Sequence, residues 1–375
     1  MFSSRPISLN TALSRTSSAR DPLFDVAKAL MMLWVVWGHF SRWGVVAGPL
    51  EPAPFMGNLK IGVNMPVFFL IGGYLASSTF QKGSWAKILA RTIGFIWPMA
   101  AFGLFFALVL TATRGWNGWR WLMYFPVKQV LHGHWFLRTY AGVYLLSAIV
   151  YRLCRNDKCR WFVFVLLYAA LLFWPARFRS CLYWIGGSPT LHMLPYFVFG
   201  LLVLRKYPAW RFSRIALPCA TFVLAVILLE GQAFAKLMNF WNVSMHWRSV
   251  FLDRWNLLAF LARIAVGLAG SVSILYGVDR LLRRFPRLST FAVFGTTTLG
   301  VYVLHEWPLI QIGKSGLSCL PFPFWTRWPL AIAWFLVCHY IITYIRRAPT
   351  LRTIFFGNER RLTLLFERIV KMCSP

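Results

Sequence analysis

Apolar runs of 17 to 25 residues, separated by short basic stretches, recur along most of this chain. A run of that length forms a helix about as long as the hydrocarbon core of a bilayer is thick. Ten candidate spans are expected, at about 24–46, 60–80, 91–111, 133–151, 160–176, 190–204, 214–232, 257–278, 290–312 and 327–345. Composition agrees. Only 13 % of the 375 residues are charged and 58 % are hydrophobic, where a soluble domain carries roughly 25 % charged residues. The expected fold is an all-α membrane protein, a polytopic bundle of about ten transmembrane helices.

The net charge of +30 would suit nucleic acid if it lay on one surface. It lies instead between apolar runs, and no basic and aromatic RNA- or DNA-binding motif accompanies it, so nucleic acid is not an expected partner. Its distribution sets an orientation. With the N-terminus inside, the inner loops and tails hold 25 of the 40 basic residues and the outer loops 12. The positive-inside rule then places both termini in the cytoplasm. Residues 1–22 read as a disordered basic cytoplasmic tail, without the apolar core of a secretory signal. Residues 347–375 read as a basic amphipathic cytoplasmic tail, drawn to anionic lipid along the inner surface. Aromatic-rich stretches at 115–131 and 239–256 read as interfacial or re-entrant. The seven cysteines lack metal-ligand spacing; Cys181 and Cys319 fall near one membrane face, and spacing does not decide whether they pair.

Within the first span, Phe24 to Phe40, stand Asp25, Lys28 and His39. His39 lies about fifteen residues in, roughly 20 Å along a helix. An ionisable group at that depth is costly in lipid and normally faces a bundle interior or a wet cavity. Lys28 and His39 are eleven residues apart, which leaves them about 20° apart around the helix. One face thus carries charge at its mouth and an imidazole inside. His305 and Glu306 stand about as deep in the ninth span. Adjacent helical residues point about 100° apart, so these two are not expected to bond each other.

Four short elements follow one another in the order of a known family. Asp25-Val-Ala-Lys28, ten residues, then Gly38-His39 resembles the first membrane helix of the acyltransferase-3 family, and is nearest to its fucose 4-O-acetylase-like branch. Phe68-Phe-Leu-Ile-Gly-Gly73-Tyr74, Trp135-Phe136-Leu137 and Tyr302-Val-Leu-His305 resemble its later elements. The chain departs from the family in two places. An R-x-x-R pair is replaced by Lys87 and Arg91, four apart, and the glycine after the first basic residue by Ala29. The resemblance implies transfer of an acyl group, most often acetyl, from acyl-CoA to a hydroxyl of a cell-surface or exopolysaccharide sugar. It also implies residence in the cell inner membrane and a lipid-linked or polysaccharide acceptor, with glycosyltransferases of the same pathway as expected partners.

Spacing and resemblance together give the expected site. His39 and His305 would be catalytic, with His39 the general base. Lys28 and Arg91 would hold the donor's phosphates, and Asp25, His134, Trp135 and Glu306 would meet the acceptor. No metal is expected. The pattern lacks a G-x-S-x-G elbow, an H-E-x-x-H pair and a Walker loop, which argues against a hydrolase, metalloprotease or ATPase. The alternative is a transporter in which Lys28, His39, His305 and Glu306 form a proton relay. The domain proper is expected over residues 23–346.

Overall fold

The computed structural model of the protein describes residues 21–42, 63–114, 135–173, 188–205, 217–221, 254–314 and 326–373, with isolated positions between 122 and 133. Among these residues all regular structure is helical. The first helices are α1 (Pro22–Arg42), α2 (Met65–Lys82), α3 (Trp85–Arg114), α4 (Trp135–Leu153) and α5 (Asp157–Phe173). α6 (Ser188–Phe199) continues as a π-helical turn, Gly200–Leu204, and α7 spans Arg254–Arg284. After a 3-10 turn at Pro286–Phe291 come α8 (Ala292–Gly295), α9 (Thr298–Lys314), α10 (Arg327–Arg347), α11 (Pro349–Phe356) and α12 (Glu359–Cys373).

Among the described residues, four segments are long and apolar enough to cross a membrane: Pro22–Phe40, Trp85–Thr113, Arg263–Arg284 and Arg327–Arg347. A fifth arises if Pro286–Gly295 and Thr298–Ile312, bent by 61°, count as one span. The molecule is a helical membrane protein. Most of the expected span at 214–232, and most of the stretches at 115–131 and 239–256, lie outside the described residues. So do Cys181 and Cys319, whereas Cys154, Cys159, Cys219 and Cys338 are free thiols.

The expected continuous span at 290–312 is instead a broken helix. Thr296, Thr297 and Thr298 turn their hydroxyls onto the carbonyls three residues back, donating to Val293, Phe294 and Gly295 at 2.7, 3.0 and 3.1 Å. Such side-chain bonds compete with the helical ladder. At the same place Gly295 lies directly under the backbone of Asp25, where any Cβ would collide with α1. The break therefore lets α1 approach α8 at backbone distance.

The Gly72-Gly73 pair serves a second close approach. Gly73 lies against the Phe197 carbonyl, and Gly200 against the Leu70 carbonyl, so α2 and α6 cross through reciprocal glycines. Gly72 faces the Tyr140 ring of α4. Small residues let helices pack this closely in lipid. Phe69, Phe80, Phe197 and Tyr144 fill the surrounding core.

The C-terminal helices fold back on α3. Trp97 Nε1 donates to the Ile354 carbonyl at 2.8 Å, and the Phe102 and Phe355 rings meet at 4.6 Å. Gly357, at φ 69°, makes the turn into α12, a left-handed conformation that a side chain disfavours. α12 then packs along α3 and leaves Leu364, Leu365 and Met372 exposed.

Candidate active site

α1 carries His39 near its far end, and α9 carries His305, which is fully buried. His305 Nε2 lies 3.0 Å from His39 Nδ1, so the two rings share one depth in the bundle. The hydrogen bonds around them fix which nitrogen is which. His305 Nδ1 is 2.9 Å from the Val301 carbonyl, and a carbonyl only accepts, so that nitrogen carries the proton. A neutral His305 then presents a lone pair at Nε2. His39 Nδ1, which also lies 3.0 Å from the Val35 carbonyl, donates toward both acceptors. The basic nitrogen of His39 is left as Nε2.

Glu306 Oε1 stands 3.7 Å from that Nε2. His305 and Glu306 thus meet the same imidazole from different edges, as neighbours on a helix pointing apart can do. The His39 side chain is 16 % exposed and Glu306 23 %, so the basic nitrogen lies in the reachable part of the pair. The indole of Trp334 holds the other side of His305, donating to its backbone carbonyl at 3.2 Å.

At the opposite end of α1 the Lys28 ammonium bonds Asp25 at 2.6 Å. Asp25 is buried beneath Gly295. Lys28 lines a cavity of about 250 Å³ together with Met32, Phe68, Phe136, Tyr140 and Arg346. Asp25 does not line it. Phe136, one of the lining residues, meets the Tyr302 ring at 5.0 Å; Tyr302 in turn meets His305 at 5.9 Å. Trp135 is partly buried and stands against Phe136, ring centres 6.1 Å apart. His134 lies outside the described residues.

Arg91 occupies the first turns of α3. It pairs with Glu359 of α12 at 3.0 Å and donates to the Thr79 hydroxyl of α2. With Tyr140, Tyr144 and Arg346 it lines a wider cavity of about 910 Å³. Gly72, Phe95, Tyr140, Thr296 and Arg346 line both cavities, so the two lie side by side. Lys28 and Arg91, distant in sequence, thus stand on two adjoining cavities, while His39, His305 and Glu306 form a separate cluster.

Sequence reasoning missed the residues that α10 to α12 contribute here: Arg346, Arg352, Glu359 and Arg360. Their charge reads as a loop obeying the positive-inside rule, and only folding turns it toward a cavity. His339, outside both clusters, is a buried packing residue whose Nδ1 lies 2.8 Å from the Thr297 hydroxyl.

The arrangement is an apolar helical bundle with a histidine pair and a carboxylate inside and an arginine-lined cavity. The acyltransferase-3 family model, described as an acyltransferase domain, matches residues 22–344, and the chain belongs to that family. It is a membrane acyltransferase. Neither a curated protein nor a solved structure gives a significant match to the chain.

Proposed function

We propose that the protein is an integral O-acyltransferase, of the fucose 4-O-acetylase-like branch, that moves an acetyl group from cytoplasmic acetyl-CoA to a hydroxyl of a cell-surface or exopolysaccharide sugar. The observation that carries this reading is the pair of contacts at His39: Nδ1 held by His305, Nε2 turned to Glu306. His39 Nε2 takes the proton of the acceptor hydroxyl, the hydroxyl oxygen attacks the thioester carbonyl, and the departing thiolate takes the proton back. His305 keeps the proton on the other nitrogen of His39. Glu306 stabilises the imidazolium while it exists; at 3.7 Å and an effective dielectric of 20 that attraction is about 4 kcal/mol before desolvation. Direct transfer through a base needs no covalent nucleophile beside His39.

The donor side is supported by Lys28 and Arg91, which stand on adjoining cavities and offer the cationic groups that phosphates need. Along α1, Lys28 and His39 are separated by about 16 Å at 1.5 Å per residue, a reach suited to the pantetheine arm. Phe136 and Tyr302 stand between, so on this reading their rings move aside for the thioester. Trp135, with His134, is assigned to the acceptor approach, where an aromatic face suits a sugar ring. Asp25, buried against Lys28, is reassigned from acceptor binding to orienting that ammonium.

On this reading ten helices cross the cell inner membrane with both termini inside, supported by the 25 to 12 division of basic residues. Single cysteines placed in the 152–160 and 280–287 loops of a cysteine-free variant should then resist an impermeant thiol reagent in intact cells. Efficient labelling at either loop reverses the orientation. The test of function is transfer of labelled acetyl from acetyl-CoA by isolated membranes, alongside sugar analysis of surface polysaccharide with and without the gene. Membranes that leave acetyl-CoA untouched, with unchanged O-acetylation, would sink the reading and return the proton-relay transporter to first place.

A further inference from the structure

The wider cavity carries more charge of one sign than the donor residues named so far account for. Arg91, Arg346, Arg347, Arg352 and Arg360 line it, against a single lining carboxylate, Glu359. Of these six, Arg91 alone lies within the matched family segment, residues 22–344. The other five belong to the end of α10 and to α11 and α12.

The segment that carries them is fastened to the bundle. The Arg346 guanidinium donates to the Thr296 carbonyl at 2.5 Å, at the carbonyl that the helix break exposes, and lies 5.4 Å from the Phe356 ring centre. Trp97 and Phe102 of α3 fasten α11. The Gly357 turn then carries Asn358, Glu359 and Arg360 over the opening. Asn358 accepts the Arg361 N–H at 3.1 Å, closing the first turn of α12.

A volume of about 910 Å³ is of ligand-site size, and guanidinium forks match phosphate oxygens in pairs. Like charges gathered this closely favour a polyanion among them. The carboxylate already present is weakly held. Arg91 and Glu359 are 36 % and 50 % exposed, and exposed ion pairs contribute little.

We infer that α11 and α12 complete the donor site from outside the family domain: Arg352 and Arg360 bind the phosphates of the donor's nucleotide end, and Glu359 is a resident counter-anion that a phosphate displaces from Arg91. The inference rests on the proposed acyl-CoA donor. It makes the C-terminal helices a determinant of donor affinity, while the wide cavity holds the nucleotide and the narrow one the acyl arm.

The experiment uses the full chain in membranes and two donors, acetyl-CoA and acetyl-dephospho-CoA, which lacks only the ribose phosphate. Binding of labelled adenosine 3′,5′-bisphosphate is measured beside transfer. An Arg352→Gln/Arg360→Gln variant is expected to raise the acetyl-CoA KM about tenfold or more at unchanged kcat. The preference between the two donors should shrink toward unity, and bisphosphate binding should weaken in parallel. Lysine at both positions should restore part of each effect. E359Q should lower the KM severalfold, a gain that misfolding cannot imitate. Wild-type KM values for both donors in the double glutamine variant, or a raised KM in E359Q, overturn the inference while leaving the acetyl-CoA reading intact. Bisphosphate binding that depends on Arg352 and Arg360 in a protein that ignores acetyl-CoA supports the site and removes the donor reading. A wild-type protein that neither uses acetyl-CoA nor binds the bisphosphate overturns both.

Discussion

The histidine cluster and the arginine cavity solve opposite electrostatic problems a few helical turns apart. At His39 the polar groups are few, and the surrounding helices satisfy them. Val35 and Val301 supply carbonyls from within the same helices, His305 supplies the lone pair, and Trp334 ties down the backbone. In a low-dielectric interior an unsatisfied polar group is costly, so the arrangement is rigid and each proton has one place to be. At Arg91 the groups are more exposed, numerous and mostly of one sign, and exposed ion pairs exchange partners at little cost. Proton transfer needs the first kind of region. Capture and release of a charged donor needs the second, since a charge held too well is not given up.

That contrast is broken or sharpened by kinetics that separate turnover from donor affinity. The largest effect is expected at His39. His39→Ala should leave the protein inserted and abundant, yet lower kcat by about 10² or more, the scale of a lost general base. The KM for acetyl-CoA should change little. Near-wild-type turnover in His39→Ala would remove the histidine cluster from the chemistry.

A smaller and different effect is expected at Arg91. Loss of a charged hydrogen-bond partner costs about 1.5–3 kcal/mol, so Arg91→Ala should raise the acetyl-CoA KM roughly ten- to a hundredfold with kcat kept. A fall in kcat at saturating donor would mean that the two regions are one functional unit.

Lys28 should give the smallest effect of the three, because its ammonium is already engaged by Asp25 at 2.6 Å. Lys28→Arg should keep most activity, while Lys28→Ala should raise the donor KM severalfold. Because that variant also removes the ammonium beside the buried Asp25 carboxylate, membrane abundance is measured with it, and Lys28→Ala/Asp25→Asn should recover abundance without recovering affinity. Normal donor affinity in the double variant would exclude Lys28 from the donor path.

Much of this molecule is written in one dimension. Apolar run length determined helices and a membrane setting, because only a structure that bonds its own backbone is tolerated in hydrocarbon. The depth of His39 and His305 in their runs marked them, because an ionisable group there needs a polar partner. The glycines at 72 and 73 signalled a close helix crossing, although not that Gly200 would return the contact. The Thr296-Thr297-Thr298 run held the signal for a broken helix, but its consequence depends on Gly295 resting under Asp25, a contact between segments about 270 residues apart.

The tertiary structure alone decided which charges face which. A basic tail that sequence reads as amphipathic and drawn to anionic lipid is folded back along α3 by Trp97, Phe102 and Gly357, and its arginines then line a cavity. Sequence periodicity reports the face on which a side chain lies along its own helix. It does not report what the neighbouring helix brings to that face. For His39 that neighbour is His305 and Glu306, and for Arg91 it is Glu359. In each case the partner is set by packing between distant segments, which is why the chemistry of the site became legible only with the fold.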